Sequence, residues 1–322
     1  MNKRRLGRTE LEVTEVGYGA WGIGGTGWIG ARDDESLQAL NHAIDLGLNF
    51  IDTALGYGDG HSEQLVGQVV RERPEQIFVA TKVPPKNEQW PAPDGVAADD
   101  AFPDDQVRNC ANESLRNLGV DTIDILQFHV WSDEWVGHGS WLSAVEELKA
   151  EGKIRFFGVS INDHQPGNAL KLIESGVLDT VQVIYNVFDQ GPEDELLPAC
   201  ERHDVGVIVR VPLDEGGLTG RITPETEFAE DDFRSRYFRG DRKAEVQRRA
   251  RAVAAELGSD EDGLAEIALR YILSHPAVST VIPGMRSVRN VERNIAIADG
   301  KGLPREQVEQ LHGHRWVRDF YH

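Results

Sequence analysis

The stretch NFIDTALGYGDGHSEQLVG, residues 49–67, begins as an apolar strand and ends that strand on Asp52, with Tyr57 set between two glycines five residues on. A carboxylate at the lip of a buried strand is costly unless something pairs with it. Lys82, in VATKVPP, is the natural partner: the chain has only eight lysines among its 34 basic residues, so one inside an apolar run stands out. An ammonium beside a tyrosine hydroxyl stabilises the phenolate and is expected to lower a phenol pKa that otherwise lies near ~10. Such a tyrosine can give its proton to a carbonyl oxygen as hydride arrives at the carbon. His129, in DILQFHVW, could orient that carbonyl or share the proton. Each residue alone has a plainer explanation: a loop cap for Asp52, a satisfied core imidazole for His129, surface packing for Tyr57. Together, at neighbouring strand ends, they favour chemistry.

Eight short apolar runs supply the strands: EVGYGA, NFIDTA, IFVATKV, IDILQFH, RFFGVSI, TVQVIYN, VGVIVRVPL and STVIPGM. Amphipathic segments such as DESLQALNHAIDLG and SWLSAVEELKAEG lie between them; in the latter Trp141, Leu142, Val145 and Leu148 recur at helical spacing. Gly47, Gly119, Gly152 and Gly176 follow such segments as left-handed caps. Eight βα repeats in 322 residues predict an α/β fold of the (β/α)8 TIM-barrel type, read as one domain over residues 1–322. Two long loops are expected, residues 84–103 after the third strand and 214–242 after the seventh, with an extra helix after Gly302. The short stretch beyond that helix is expected to leave the pocket open on its side.

In such barrels the active site sits at the C-terminal ends of the strands. That rule adds Ser160, Asn162 and Gln182 to the candidates, although polar residues at strand ends also simply tie down loops. Trp21, Trp131 and Trp135 fall in loops at the same face and are expected to wall a substrate pocket. No metal site is expected. A formal net charge of -20 argues against nucleic acid or an anionic membrane as partner. Two cysteines, Cys110 and Cys200, imply no disulfide framework and fit a reducing compartment. The N-terminus has no apolar leader segment and no run approaches a membrane span, so the reading is a cytoplasmic protein acting on a small molecule.

At this point the sequence resembles the aldo-keto reductase superfamily over nearly its whole length, through NFIDTALGYGDGHSEQLVG, VATKV, DILQFH, IRFFGVS, VQVIYN, GGLTGR and VIPGMRSVRNVERN. The resemblance implies an NADP(H)-dependent oxidoreductase interconverting carbonyls and alcohols, with Asp52, Tyr57, Lys82 and His129 as its catalytic tetrad. It carries the carboxamide-binding positions onto Ser160 and Gln182, with Asn162 beside them, and the phosphate-side segment onto Pro212, Leu213, Gly217, Leu218 and Gly220. Gly284, Arg286, Ser287, Asn290 and Asn294 fall in its adenosine-phosphate segment. Two positions depart from the family pattern: Arg210 stands where many members stack an aromatic ring on the nicotinamide, and Arg293 stands where a glutamate is usual. Two rival readings are a Schiff-base lyase or aldolase using Lys82, which Asp52 would oppose by keeping the amine protonated, and a cofactor-binding regulatory module on the same fold.

Overall fold

The structure, a computed structural model, describes residues 1–321. Eight strands form one parallel sheet in chain order: β1 (Tyr18–Gly19), β2 (Phe50–Asp52), β3 (Phe78–Val83), β4 (Ile123–Phe128), β5 (Ile154–Ser160), β6 (Thr180–Ile184), β7 (Gly206–Arg210) and β8 (Val278–Val281). Parallel bridges Val16–Val281 and Gly19–Gly284 bring the last strand back against the first, so the sheet curls round as the (β/α)8 reading requires. Each strand falls within one of the eight apolar runs to within a residue. Strands covered on both faces have no polar face to show.

Helices connect them. The segment Asp104–Leu118 illustrates why they form: Val107, Cys110, Ala111, Ser114 and Leu118 are buried at helical spacing against the sheet, while acidic Asp104 and Asp105 begin the first turn. It stops at Gly119, whose φ of 65° lets its N–H donate to Leu115 O at 2.8 Å. Both cysteines are buried, and burial pushes their thiols up to about 12, as inert core groups.

A hairpin of Lys3–Arg5 and Glu12–Thr14 precedes the repeat. Its strands are three residues long and heavily charged, so no periodicity marks them in the sequence. Leu6, Leu11 and Val13 pack against Phe50 and Phe78, the first residues of β2 and β3, and against Ile125, Ile208 and Ile282. The hairpin thus plugs the sheet's interior at the end opposite the strand C-termini.

The residues 84–103 carry a short helix, Ala98–Ala101, and the residues 214–242 carry a 3-10 segment, Asp214–Thr219, and the helix Phe233–Tyr237. The tail forms the expected extra helix, Arg305–Leu311, but does not leave the pocket open. Beyond it the chain is pinned by Arg315 on Asp194, Arg318 on Asp189 and Asp214, and Tyr321 on Asp163. Phe320 packs on Tyr237 with ring centroids 4.9 Å apart. Paired charges and stacked rings hold even a short segment across a cleft. Among the described residues no helix is long and apolar enough to cross a membrane.

Candidate active site

Asp52 is the last residue of β2, Lys82 lies in β3 opposite Gln127 of β4, and Ser160 of β5 pairs with Gln182 of β6. Their side chains meet inside the curl. Lys82 is fully buried and its Nζ donates to Asp52 Oδ2 at 2.6 Å, to Thr53 O at 2.8 Å and to Tyr57 Oη at 3.3 Å. The second Asp52 oxygen accepts from Gln127 Nε2 at 3.2 Å and from Gln182 Nε2 at 2.7 Å. Both carboxylate oxygens and all three ammonium protons of this costly buried pair therefore have partners. Gln127 was missed in the sequence; an amide breaking the otherwise apolar ILQF run was its signal.

Burial disfavours the Lys82 ammonium, but the charges of Asp52 and Tyr57 and their hydrogen bonds outweigh it and raise its pKa. Tyr57 departs from expectation. Desolvation raises its phenol above 10, and Lys82 recovers only part of that shift. The phenol therefore keeps its proton at neutral pH. The His129 ring stands edge-on to Tyr57, centroids 5.6 Å apart, and Trp90 stands edge-on to His129 at 4.5 Å. Burial, then Lys82 and Arg210, hold its pKa well below 6.5, so the imidazole is neutral. Its Nδ1 is buried without a partner, which leaves Nε2 as the nitrogen available to a ligand.

These groups open into a cavity of about 880 Å³. Trp21 walls it, stacked on Tyr57 at 6.1 Å and edge-on to Phe233 at 5.2 Å. Trp28, Trp90, Phe320 and Tyr321 complete the apolar side, and none of them was singled out from sequence. Trp131 and Trp135 are not in the wall. They are 0% and 2% exposed and stack in a cluster with Phe128 and Trp141, because that loop turns back over the neighbouring core rather than across the mouth.

Ser160, Gln182, Arg210, Pro212, Leu213, Gly284, Arg286, Asn290 and Asn294 all line the cavity. Asn162 does not: its amide exchanges hydrogen bonds with the backbone of Ala92 at 3.1 and 3.2 Å, tying down the loop after β3. Gly217, Leu218 and Gly220 stand behind the wall that Glu215, Gly216 and Thr219 form. Leu218 is fully buried, and a Cβ on Gly217 would lie 2.3 Å from Asp214 Oδ2, so this glycine serves packing. Ser287 caps the helix Val288–Ile295 through Asn290 N–H at 3.4 Å instead of reaching the cavity. A Cβ on Gly284 would meet nothing within 4 Å, so its backbone faces open space. Arg221, Arg234, Arg236, Arg286 and Arg293 gather round the same cavity, in a chain of net charge -20. Such a donor set fits a ligand with several negative charges.

The chain belongs to the aldo/keto reductase family, whose model matches residues 15–315. It is 30% identical to the oxidoreductase YqkF of Bacillus subtilis (strain 168), over 98% of this chain and 96% of that one. The NADH-specific methylglyoxal reductase of Escherichia coli (strain K12) is 29% identical over 97% of this chain and 99% of its own. Among solved structures, the holo form of aldo-keto reductase AKR11C1 from Bacillus halodurans superposes with a TM-score of 0.77 at 27% identity, over 99% and 97% of the two chains. An aldo-keto reductase from Klebsiella pneumoniae in complex with NADPH gives 0.71 at 27% identity, over 98% and 96%.

Proposed function

We propose that this protein is an NADP(H)-dependent reductase of aldehydes or ketones, built as one domain over residues 1–322, with Tyr57 as its general acid. The observation that carries the reading is the Tyr57–Lys82–Asp52 chain of hydrogen bonds opening beside His129. A nicotinamide dinucleotide, when bound, supplies the hydride. Tyr57 gives its Oη proton to the carbonyl oxygen, and Lys82 stabilises the phenolate that remains. The neutral His129 presents Nε2–H to the same oxygen and fixes its direction. Ser160 and Gln182 lie where a carboxamide would be held, and Trp21 with Trp90 excludes water from the reacting carbon.

Lys82 is a poor candidate for Schiff-base chemistry, since its partners keep the amine charged. After borohydride treatment with an aldehyde, peptide mapping should find Lys82 unmodified, whatever happens at the exposed lysines. The reading itself is tested by following NADPH consumption across aldehydes, ketones and sugars; the aromatic wall favours carbonyls with an apolar body. No turnover of any of them would remove it.

The cofactor preference rests on Arg286. It lines the cavity just before the capped helix Val288–Ile295, with Nη1 held by Ile29 O at 2.9 Å. Arg289 is exposed and lies outside the wall. A ribose 2′-phosphate at Arg286 would gain a charge-assisted contact of ~1.5–3 kcal/mol, roughly ten- to a hundredfold in affinity. Arg286→Ala should raise the KM for NADPH by about that factor and leave NADH nearly unchanged. Added salt should weaken NADPH more than NADH. The resemblance to an NADH-specific relative makes the outcome informative: equal efficiency with both cofactors in the wild type would overturn the preference.

A further inference from the structure

We infer that Arg210 is a second fixed cation at the reaction centre, positioned by Asp163 and through it by Tyr321, and that it acts on the proton of Tyr57. This rests on the carbonyl-reductase reading above. Arg210 ends β7 beside Ile184 of β6 and lines the same cavity as Tyr57, His129 and Gln182. Its Nη2 donates to Asp163 Oδ1 at 2.5 Å and to Ile161 O at 2.8 Å. The other Asp163 oxygen accepts from Tyr321 Oη at 2.7 Å. A strand end, the loop after β5 and the C-terminal tail therefore hold one guanidinium, whose side chain is only 20% exposed. Its Nε is buried with no partner, so the fork is fixed without being saturated. A buried donor left open beside a ligand cavity is costly unless the site uses it.

Asp163 stays ionised and offsets part of the Arg210 charge, yet Arg210 still draws the Tyr57 phenol down. Lys82 and Asp52 face the phenol from the strand side, and Arg210 faces it from β7. Glu215 also lines the cavity, but burial and then Asp214 push its carboxyl up to about 8, so at pH 7 it carries little charge to cancel Arg210. Lys82 and Arg210 draw the phenol back down from the height that burial gives it, and both keep His129 neutral. In reduction the Oη–H bond breaks as the proton passes to the carbonyl oxygen, and the phenolate faces two cations. In alcohol oxidation the phenolate takes the hydroxyl proton back.

Removing Arg210 should therefore raise the phenol pKa further. The test is the pH profile of kcat in both directions for wild type, Arg210→Met, Arg210→Lys and Asp163→Asn, with an ultraviolet difference titration of each against its Tyr57→Phe counterpart. Arg210→Met should move the alkaline limb of reduction up by about one pH unit and cut oxidation at neutral pH roughly tenfold. Arg210→Lys should restore most of the shift. Asp163→Asn, which unmasks the guanidinium, should move the limb down. An unshifted phenol titration in Arg210→Met, with only a lower melting temperature or a higher KM, would assign Arg210 a merely structural role and overturn the inference. The titration needs no turnover, so its failure is separate from failure of the reductase reading.

Discussion

Replacing Tyr57 by phenylalanine is expected to lower carbonyl reduction ~10²–10⁴-fold, the usual contribution of a positioned general acid. Cofactor affinity, measured by fluorescence titration, should hardly change, because the ring itself remains stacked on Trp21. Neither group beside the phenol suits the role: His129 is neutral with a pKa far below 7, and Lys82 is tied to Asp52 and the backbone of Thr53. The phenol is protonated at neutral pH because burial raises its pKa, so reduction should run unimpeded there and fall only at alkaline pH. Oxidation needs the phenolate and should rise over that same alkaline range. A phenylalanine variant with more than a tenth of wild-type turnover would move the acid elsewhere.

The second large effect is on folding as well as rate. Lys82→Met should abolish turnover and destabilise the protein by roughly 3–5 kcal/mol, since it strands the Asp52 carboxylate in the interior. Gln127 and Gln182 still donate to Asp52 in that variant, but amides cannot neutralise it. Denaturant unfolding would show a lower midpoint, and the double variant Asp52→Asn/Lys82→Met should recover part of the loss while remaining inactive. Equal midpoints for wild type and Lys82→Met would mean that the pair is hydrated.

What the sequence made legible was set by strand geometry. Asp52, Lys82 and His129 stand at the ends of apolar runs, where polar residues are conspicuous, and each opens on the cavity or on its Tyr57. The same rule overreached at Asn162, just past the end of β5, where the amide serves the loop backbone. Trp131 and Trp135 failed for a different reason: loop position says which face a residue starts from, whereas an indole goes where apolar area can be buried. Asp163, Phe233 and Tyr321 were unreadable because their importance comes from contacts between distant segments, Asp163 and Tyr321 standing 158 residues apart and Phe233 packing on Trp21, which no local pattern encodes. Tyr57's pKa was misjudged by weighing one neighbouring charge without the water removed around it.

The cluster around Asp52 draws one side chain from each of β2, β3, β4 and β6, in Asp52, Lys82, Gln127 and Gln182. Side chains alternate across a strand with a period of two, so sliding any of these strands by one residue would turn its polar member outward and put an apolar neighbour in its place. The apolar layers of the barrel discriminate poorly against such a slip, because both faces of these strands are hydrophobic and either set can be buried. The four polar residues discriminate sharply: only one alignment lets the carboxylate, the ammonium and two amides satisfy one another. These four side chains thus also work as an alignment key for the sheet, and on the catalytic roles proposed for Asp52 and Lys82 a chain folded out of step would lose activity as well.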